Sequence, residues 1–176
     1  MTKPDKKILR ILFISAEADP FIKVGGLGDV AYALPKALHE MVSGELKDYE
    51  LDIRVAIPCH ALVCQKTLNS PPVAGFTIPH ADADIPVKVY QTQTNDIPVY
   101  LFSGAPVIPS DSPVYSGDNK IDGRKYFFFS LAVLEFARQI NWQPDILHAN
   151  DWHTAIAVYK LSQIRSSDPF YKKCHS

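Results

Sequence analysis

The chain has 176 residues, is 47% hydrophobic and 21% charged, and carries a formal net charge of −1. That length suffices for one domain that buries about two-thirds of its surface, and the near-zero charge gives no electrostatic case for nucleic acid or an anionic membrane as partner. No apolar stretch approaches the roughly 20 residues of a membrane span, and three cysteines, an odd number, speak against a disulfide framework and for a reducing compartment.

Residues 1–7 read as a polar, flexible leader. Lys3, Lys6 and Lys7 precede an apolar run, but Arg10 interrupts it and Glu17 and Asp19 follow, so a strand over 8–15 is a better reading than a secretory signal. The run Ile8 to Ser15 is nearly continuously apolar, as a parallel strand buried on both faces would be. A helix is predicted from Asp29 to about Met41, with Val30, Leu34, Ala37, Leu38 and Met41 at helical spacing. Residues 44–50 read as a turn and 51–58 as a second strand ended by Pro58. Strand, helix, strand is a βαβ unit.

The middle is β-rich. Runs at 73–78, 87–92 and 98–102, with turns at 79–84 and 94–96, predict a β-hairpin or meander added to the sheet. Residues 69–72 and 105–122 are proline-bearing loops, the second long enough to suggest a functional loop. Asp122 is a candidate cap for a helix over 123–140 that is apolar nearly all round through Phe127, Phe128, Phe129, Leu131, Val133, Leu134, Phe136 and Ala137, and so is expected to be deeply buried. A short strand over 145–149 and a helix from Trp152 to about Arg165 close the chain. The fold class is α/β: a doubly wound, mostly parallel sheet with a hairpin or meander addition.

Two segments carry chemistry. Lys23-Val24-Gly25-Gly26-Leu27-Gly28-Asp29-Val30 joins the first strand to the first helix. Glycines let backbone N–H groups approach an oxyanion, a helix N-terminus adds unpaired donors, and Lys23 adds a positive charge. The same glycines would serve a plain turn. The loop is neither the dinucleotide fingerprint G-x-G-x-x-G nor a P-loop, since no Gly-Lys-Ser/Thr follows. The second segment, His148-Ala149-Asn150-Asp151-Trp152-His153-Thr154-Ala155, lies where a strand ends and a helix opens, the edge at which open α/β sheets bind ligands. His153 is suited to a sugar hydroxyl or a backbone carbonyl, while Asp151 or Asn150 is suited to capping the helix. The spacing of Cys59, His60 and Cys64 fits no standard zinc pattern, and no metal is expected.

Ser15-Ala16-Glu17-Ala18-Asp19-Pro20-Phe21-Ile22-Lys23-Val24-Gly25-Gly26-Leu27-Gly28-Asp29-Val30 resembles, almost throughout, the Lys-x-Gly-Gly-Leu-Gly/Ala-Asp-Val signature of bacterial glycogen synthases and plant starch synthases. The 148–155 segment resembles the same family's Asp-Trp-His block, in the family's order and at about its spacing. The middle departs from the pattern: Asp118-Asn119 precedes Ile121-Asp122-Gly123-Arg124-Lys125-Tyr126 with a shifted register, and Pro58-Cys59-His60 lacks the usual basic residue and tyrosine.

The resemblance implies the N-terminal half of a two-domain GT-B glycosyltransferase, residues 8–176 forming an incomplete Rossmann-type domain. It implies a retaining transfer of glucose from ADP-glucose or UDP-glucose to the 4-hydroxyl of an α-1,4-glucan, with no metal or other cofactor. Lys23 would neutralise donor phosphate, Gly25 and Gly26 would offer N–H groups to it, Asp29 and Asp151 would help bind glucose or acceptor, and His153 would hydrogen-bond the transferred glucose. Because the match covers only the first third or so of such an enzyme, the chain alone is expected to have little or no activity without a C-terminal domain, whether that domain belongs to the same longer protein or to a separate polypeptide of a split enzyme. The implied location is the cytoplasm, or the plastid stroma in a plant. The alternatives are a glucan- or phosphate-binding fragment without chemistry and an unrelated α/β nucleotide-binding enzyme such as a small oxidoreductase, the latter disfavoured by the missing fingerprint.

Overall fold

The structure, a computed structural model, describes residues 6–61, 63, 70–79 and 83–176. Its elements are β1 (Lys7–Ile14), α1 (Gly26–Glu40), β2 (Tyr49–Pro58), β3 (Ala74–Ile78), β4 (Ile85–Thr94), β5 (Ile97–Ser103), α2 (Asn119–Gln139), β6 (Ile146–Ala149) and α3 (Ala155–Ile164), with short 3₁₀ turns at Met41–Ser43 and Trp152–Thr154. The six strands form one sheet in the order β3-β4-β5-β2-β1-β6. β5, β2, β1 and β6 run parallel, while β3 and β4 are the antiparallel addition. The β4–β5 turn uses Asn95 and Asp96, both at positive φ (48° and 62°), as a two-residue hairpin loop demands.

Alternate side chains of each central strand feed two cores, as the period of two requires. Leu12 and Ile14 of β1, Ala56 of β2 and Tyr100 and Phe102 of β5 join Phe128, Phe129, Val133 and Phe136 of α2 and Ala157 and Leu161 of α3. Ile11, Phe13, Ile53, Val55, Ile57, Val99 and Leu101 point the other way, where Ala31, Leu34 and Leu38 of α1 cover them. The sheet is therefore doubly wound, with the mostly parallel body and hairpin addition that the sequence predicts.

The order of the strands places the site. From β1 the chain leaves by α1 to β2 on one side, and from β5 it returns by α2 to β6 on the other. The carboxyl ends of β1 and β6 thus flank the point where the winding reverses, with Ile14 in register with Ala149.

Several sequence expectations are corrected. α1 begins at Gly26, three residues earlier than predicted, and its buried face is Ala31 and Pro35 flanked by Leu34 and Leu38; Val30 and Met41 are exposed. α2 begins at Asn119 and its cap is Asp118, whose carboxylate accepts from the Lys120 and Ile121 N–H groups at 2.7 and 3.3 Å, so Asp122 sits inside the first turn. That helix is not buried all round: Phe127 is 51% exposed. Strand β1 already includes Lys7, which the sequence reading puts in the leader; residues 1–5 of that leader lie outside the described residues. Cys59 is disulfide-bonded, against the expectation drawn from the odd cysteine count, whereas Cys174 is free and buried. Cys64 and the predicted turn at 80–82 lie outside the described residues.

Candidate active-site crevice

β1 is followed by Ser15-Ala16-Glu17, all fully buried. The Glu17 carboxylate turns into the glycine-rich loop and accepts from the backbone N–H of Val24, of Gly25 (3.1 and 3.2 Å) and of Gly28 (3.2 Å). A hydrogen bond to a charged group contributes about 1.5–3 kcal/mol, so this set fixes the loop firmly. The donors at the start of α1 therefore hold an anion, and that anion belongs to the protein. The Gly25 N–H, expected to face a donor phosphate, is given to Glu17, while a Cβ at Gly26 would meet open space.

Lys23 is exposed and its Nζ is hydrogen-bonded to Asp29, with Asp19 at 3.8 Å. The Asp29 hydrogen bond raises the Lys23 pKa above its ordinary value. Exposed pairs of this kind contribute little, so an arriving ligand can separate them. Around the loop stand three carboxylates, those of Glu17, Asp19 and Asp29, against the one ammonium of Lys23.

The second segment is tied to the end of β1, the strand from which the first departs. Asn150 donates both its backbone N–H (3.1 Å) and its side-chain amide (2.8 Å) to the Ile14 carbonyl at the end of β1. Asp151 then adopts φ 62° and ψ 179°, a conformation open essentially to glycine alone. Its carboxylate accepts from the Trp152 N–H at 2.6 Å, and it is itself exposed. This turn starts the 3₁₀ segment that swings His153 inward. His153 is 2% exposed, and neither ring nitrogen has a hydrogen-bond partner. Asp151 Oδ2 stands 3.9 Å from Nδ1, too far for a hydrogen bond. Burial lowers the His153 pKa, so near neutral pH the ring is uncharged, with one N–H to donate and one nitrogen to accept. Trp152, Tyr126 and Tyr115 surround it at ring-centroid distances of 4.1, 4.5 and 5.4 Å.

Tyr115 reaches His153 because α2 anchors the long loop before it. Lys125, 1% exposed, donates to the carbonyls of Pro113 (2.8 Å) and Val114 (2.6 Å) and to Asp122 (3.0 Å). The Asp122 carboxylate accepts from the Ser116 N–H at 3.1 and 3.0 Å, and the Tyr126 hydroxyl donates to the Val114 carbonyl at 2.6 Å. His60 secures the far side: its Nε2 donates to the Ala16 carbonyl at 2.8 Å, and the next N–H, of Ala61, donates to the Ser112 carbonyl at 3.0 Å. Burial pushes the His60 pKa down to about 4.

The structure thus gathers Lys23, Gly25, Gly26, Asp29, Asp151 and His153 at one edge of the sheet, as the motifs suggested. Sequence reasoning gave no part to Glu17, Tyr115, Lys125 or Tyr126. A lysine in the apolar stretch of α2, three residues after Asp122, was the available signal for the buried pair; nothing in the sequence announces that Tyr115 meets His153. Among the described residues no group of three or more His, Cys, Asp or Glu converges to hold a metal ion. A groove of about 350 Å³ between β3, α2 and α3 includes no residue of either motif, and its Arg138 is paired with Asp168.

Comparison with known proteins agrees with this geometry. Residues 10–176 match the family model described as the starch synthase catalytic domain. The glycogen synthase of Clostridium perfringens is 37% identical over 169 residues, covering 94% of this chain and 32% of that protein. The glycogen synthase of Lacticaseibacillus casei is 36% identical over 161 residues, covering 89% of this chain and 31% of that protein. The chain therefore spans about a third of the length of the curated relatives it matches. Among solved structures, the catalytic domain of starch synthase IV from Arabidopsis thaliana, bound to ADP and acarbose, shares the fold at a TM-score of 0.66 and 23% identity, covering 96% of this chain and 34% of that one. With the glycine-rich loop and the Asp-Trp-His turn following the adjoining carboxyl ends of the paired strands β1 and β6, and the family model matching from β1 to the last residue, the chain belongs to the starch synthase catalytic-domain family.

Proposed function

We propose that this chain is the N-terminal part of a retaining glucan synthase that moves glucose from ADP-glucose or UDP-glucose to the 4-hydroxyl of an α-1,4-glucan, and that by itself it supplies mainly the glucan-facing wall of the cleft. The observation that carries the reading is His153, a buried neutral imidazole with both nitrogens unpartnered, set among aromatic rings. A sugar hydroxyl both donates and accepts, so it fits such a ring, and aromatic faces fit the apolar faces of pyranoses.

In the transfer, the bond from the anomeric carbon to the diphosphate breaks, the bond to the acceptor oxygen forms, and the proton of the acceptor hydroxyl passes to the departing diphosphate. Negative charge grows on the leaving diphosphate. Lys23, released from Asp29, is the one cation of the loop free to meet it. Asp29, released in turn, accepts from a sugar hydroxyl, and Asp151 stands exposed at the same edge to do likewise. The three carboxylates around the loop oppose a diphosphate, so the chain alone holds the nucleotide weakly and turns over little or no donor. That same charge balance supports the second reading, a glucan-binding piece without chemistry of its own.

Trp152 provides the test, because it is 53% exposed and its ring centroid lies 4.1 Å from that of His153. Titration with maltohexaose should change the tryptophan emission saturably, and His153→Ala should abolish the change. An emission unaffected by maltohexaose but altered by ADP-glucose would contradict the glucan-facing assignment.

A further inference from the structure

We propose that Glu17 is the positioning residue of this site: an internal carboxylate that fills the loop's anion cradle and thereby sets the shape in which Lys23, Gly26 and Asp29 meet a ligand. The inference rests on the function proposed above for its consequence, but not for its geometry.

Glu17 is fully buried, and a buried carboxylate is costly unless its oxygens are satisfied. Both are. One accepts from Val24 and Gly25, the other from Gly25 and Gly28, so all its acceptance is spent on the loop. Its own backbone is clamped as well: the Glu17 carbonyl accepts from the Ser15 hydroxyl at 2.8 Å, and the neighbouring Ala16 carbonyl accepts from His60. A group held this tightly is scaffolding, and what it scaffolds is the glycine-rich turn that opens α1.

The chemistry of the cradle changes accordingly. Backbone N–H groups at a glycine-rich helix start ordinarily await an external phosphate. Here those of Val24, Gly25 and Gly28 are saturated from within, so a ligand meets only what the closed cradle presents outward: Lys23, Asp29 and the open face at Gly26. A Cβ at Gly25 would stand 3.5 Å from Glu17 Oε1, which shows how closely the carboxylate fits beneath the turn. The Glu17 charge also acts on the far wall, raising the pKa values of His153, Tyr115 and Tyr126 as a lesser contribution beside the larger effect of their burial.

The test is chemical rescue, read on the amides. In wild type, the Val24, Gly25 and Gly28 amide protons should be protected from exchange by at least about tenfold over the exposed amides of the same loop. Glu17→Ala should lose that protection, and about 100 mM formate, but not chloride at equal ionic strength, should restore both the amide shifts and the protection by occupying the vacated cradle. Maltohexaose affinity should fall at least about tenfold in Glu17→Ala and return with formate. If Glu17→Ala does not fold, Glu17→Gln decides the matter: its single acceptor oxygen should keep protection at Val24 or at Gly28, not at both. Protection unchanged in either variant, or loss that formate does not reverse in folded Glu17→Ala, overturns the proposal. Amide protection in wild type and formate rescue in Glu17→Ala, with no maltohexaose binding by wild type, would refute the function proposed above while leaving the role of Glu17 as loop holder intact.

Discussion

Replacing Lys125 with methionine tests the anchoring of the long loop. The side chain is 1% exposed, and its ammonium makes three hydrogen bonds, to Pro113, Val114 and Asp122. Methionine fills most of the volume and supplies none of them. It leaves the Asp122 carboxylate, 5% exposed, with only the Ser116 N–H. Breaking a buried pair from one side costs about 3–5 kcal/mol, a large share of the roughly 5–15 kcal/mol that stabilises a domain. At a urea slope of about 2 kcal/mol/M, the unfolding midpoint should fall by about 2 M. Asp122→Leu should also destabilise, because it strands the ammonium. The double variant should cost less than the two singles together by at least about 1 kcal/mol, since it leaves no unpaired charge. A Lys125→Met midpoint within about 0.5 M of wild type, or strictly additive singles, would refute the reasoning that this pair holds residues 113–116 and, through them, Tyr115 against His153.

Other outcomes follow from single features. His60 has a folded pKa of about 4 against 6.5 for the free side chain, so its contribution is complete above pH 6.5 and is lost as pH falls toward 4; at about 1.4 kcal/mol per pH unit that is about 3 kcal/mol, and His60→Gln, which keeps a donor for Ala16, should flatten the dependence of urea midpoint on pH across that window. The lowered pKa values of His153 and His148 act with the same sign, so the wild-type slope should exceed that of His60 alone. Asp151→Ala keeps the φ 62° backbone and loses the hydrogen bond to Trp152, so it should cost about 1 kcal/mol or more, whereas Asp151→Gly should cost less or nothing; thermal unfolding that ranks them the other way would contradict the strain. Gly104→Ala would press a Cβ to 2.5 and 2.7 Å from two ring atoms of Phe128 and should destabilise by about 1–3 kcal/mol in the same assay.

The parts of the fold that could be read from the chain are those set by local pattern. Ile8 to Ser15 and residues 51–58 announce central strands by apolar continuity, the hairpin by alternation around Asn95 and Asp96, and the switch point by the order of the elements. Helix limits were less legible. Asp122 looks like the cap, but its hydrogen bonds to Lys125 and Ser116 hold it within the first turn, and Asp118 caps the helix instead. The α1 face was misjudged because the helix begins at Gly26, where Glu17 draws the first turn inward, burying Gly28 and Ala31 and leaving Val30 out. Phe127 looks like core by composition, but about 100° per residue of helix turn puts it off the face that buries Phe128 and Phe129, and it is exposed. At the site, Lys23, Asp29, Asp151 and His153 could be named because short motifs hold them. The role of Glu17 and the hold of Lys125 on the long loop could not, because the groups that accept from or donate to them there are backbone atoms seven to twelve residues away, and backbone atoms are the same whatever the side chain.

The most direct measurement is calorimetric titration of this chain with maltohexaose and, separately, with ADP-glucose, each repeated with Lys23→Ala and His153→Ala. The account predicts maltohexaose binding that His153→Ala removes, and ADP-glucose binding much weaker than that of the glucan. Tight ADP-glucose binding abolished by Lys23→Ala, with no binding of maltohexaose, would mean that the loop of β1 is the donor site in its own right and would contradict the account.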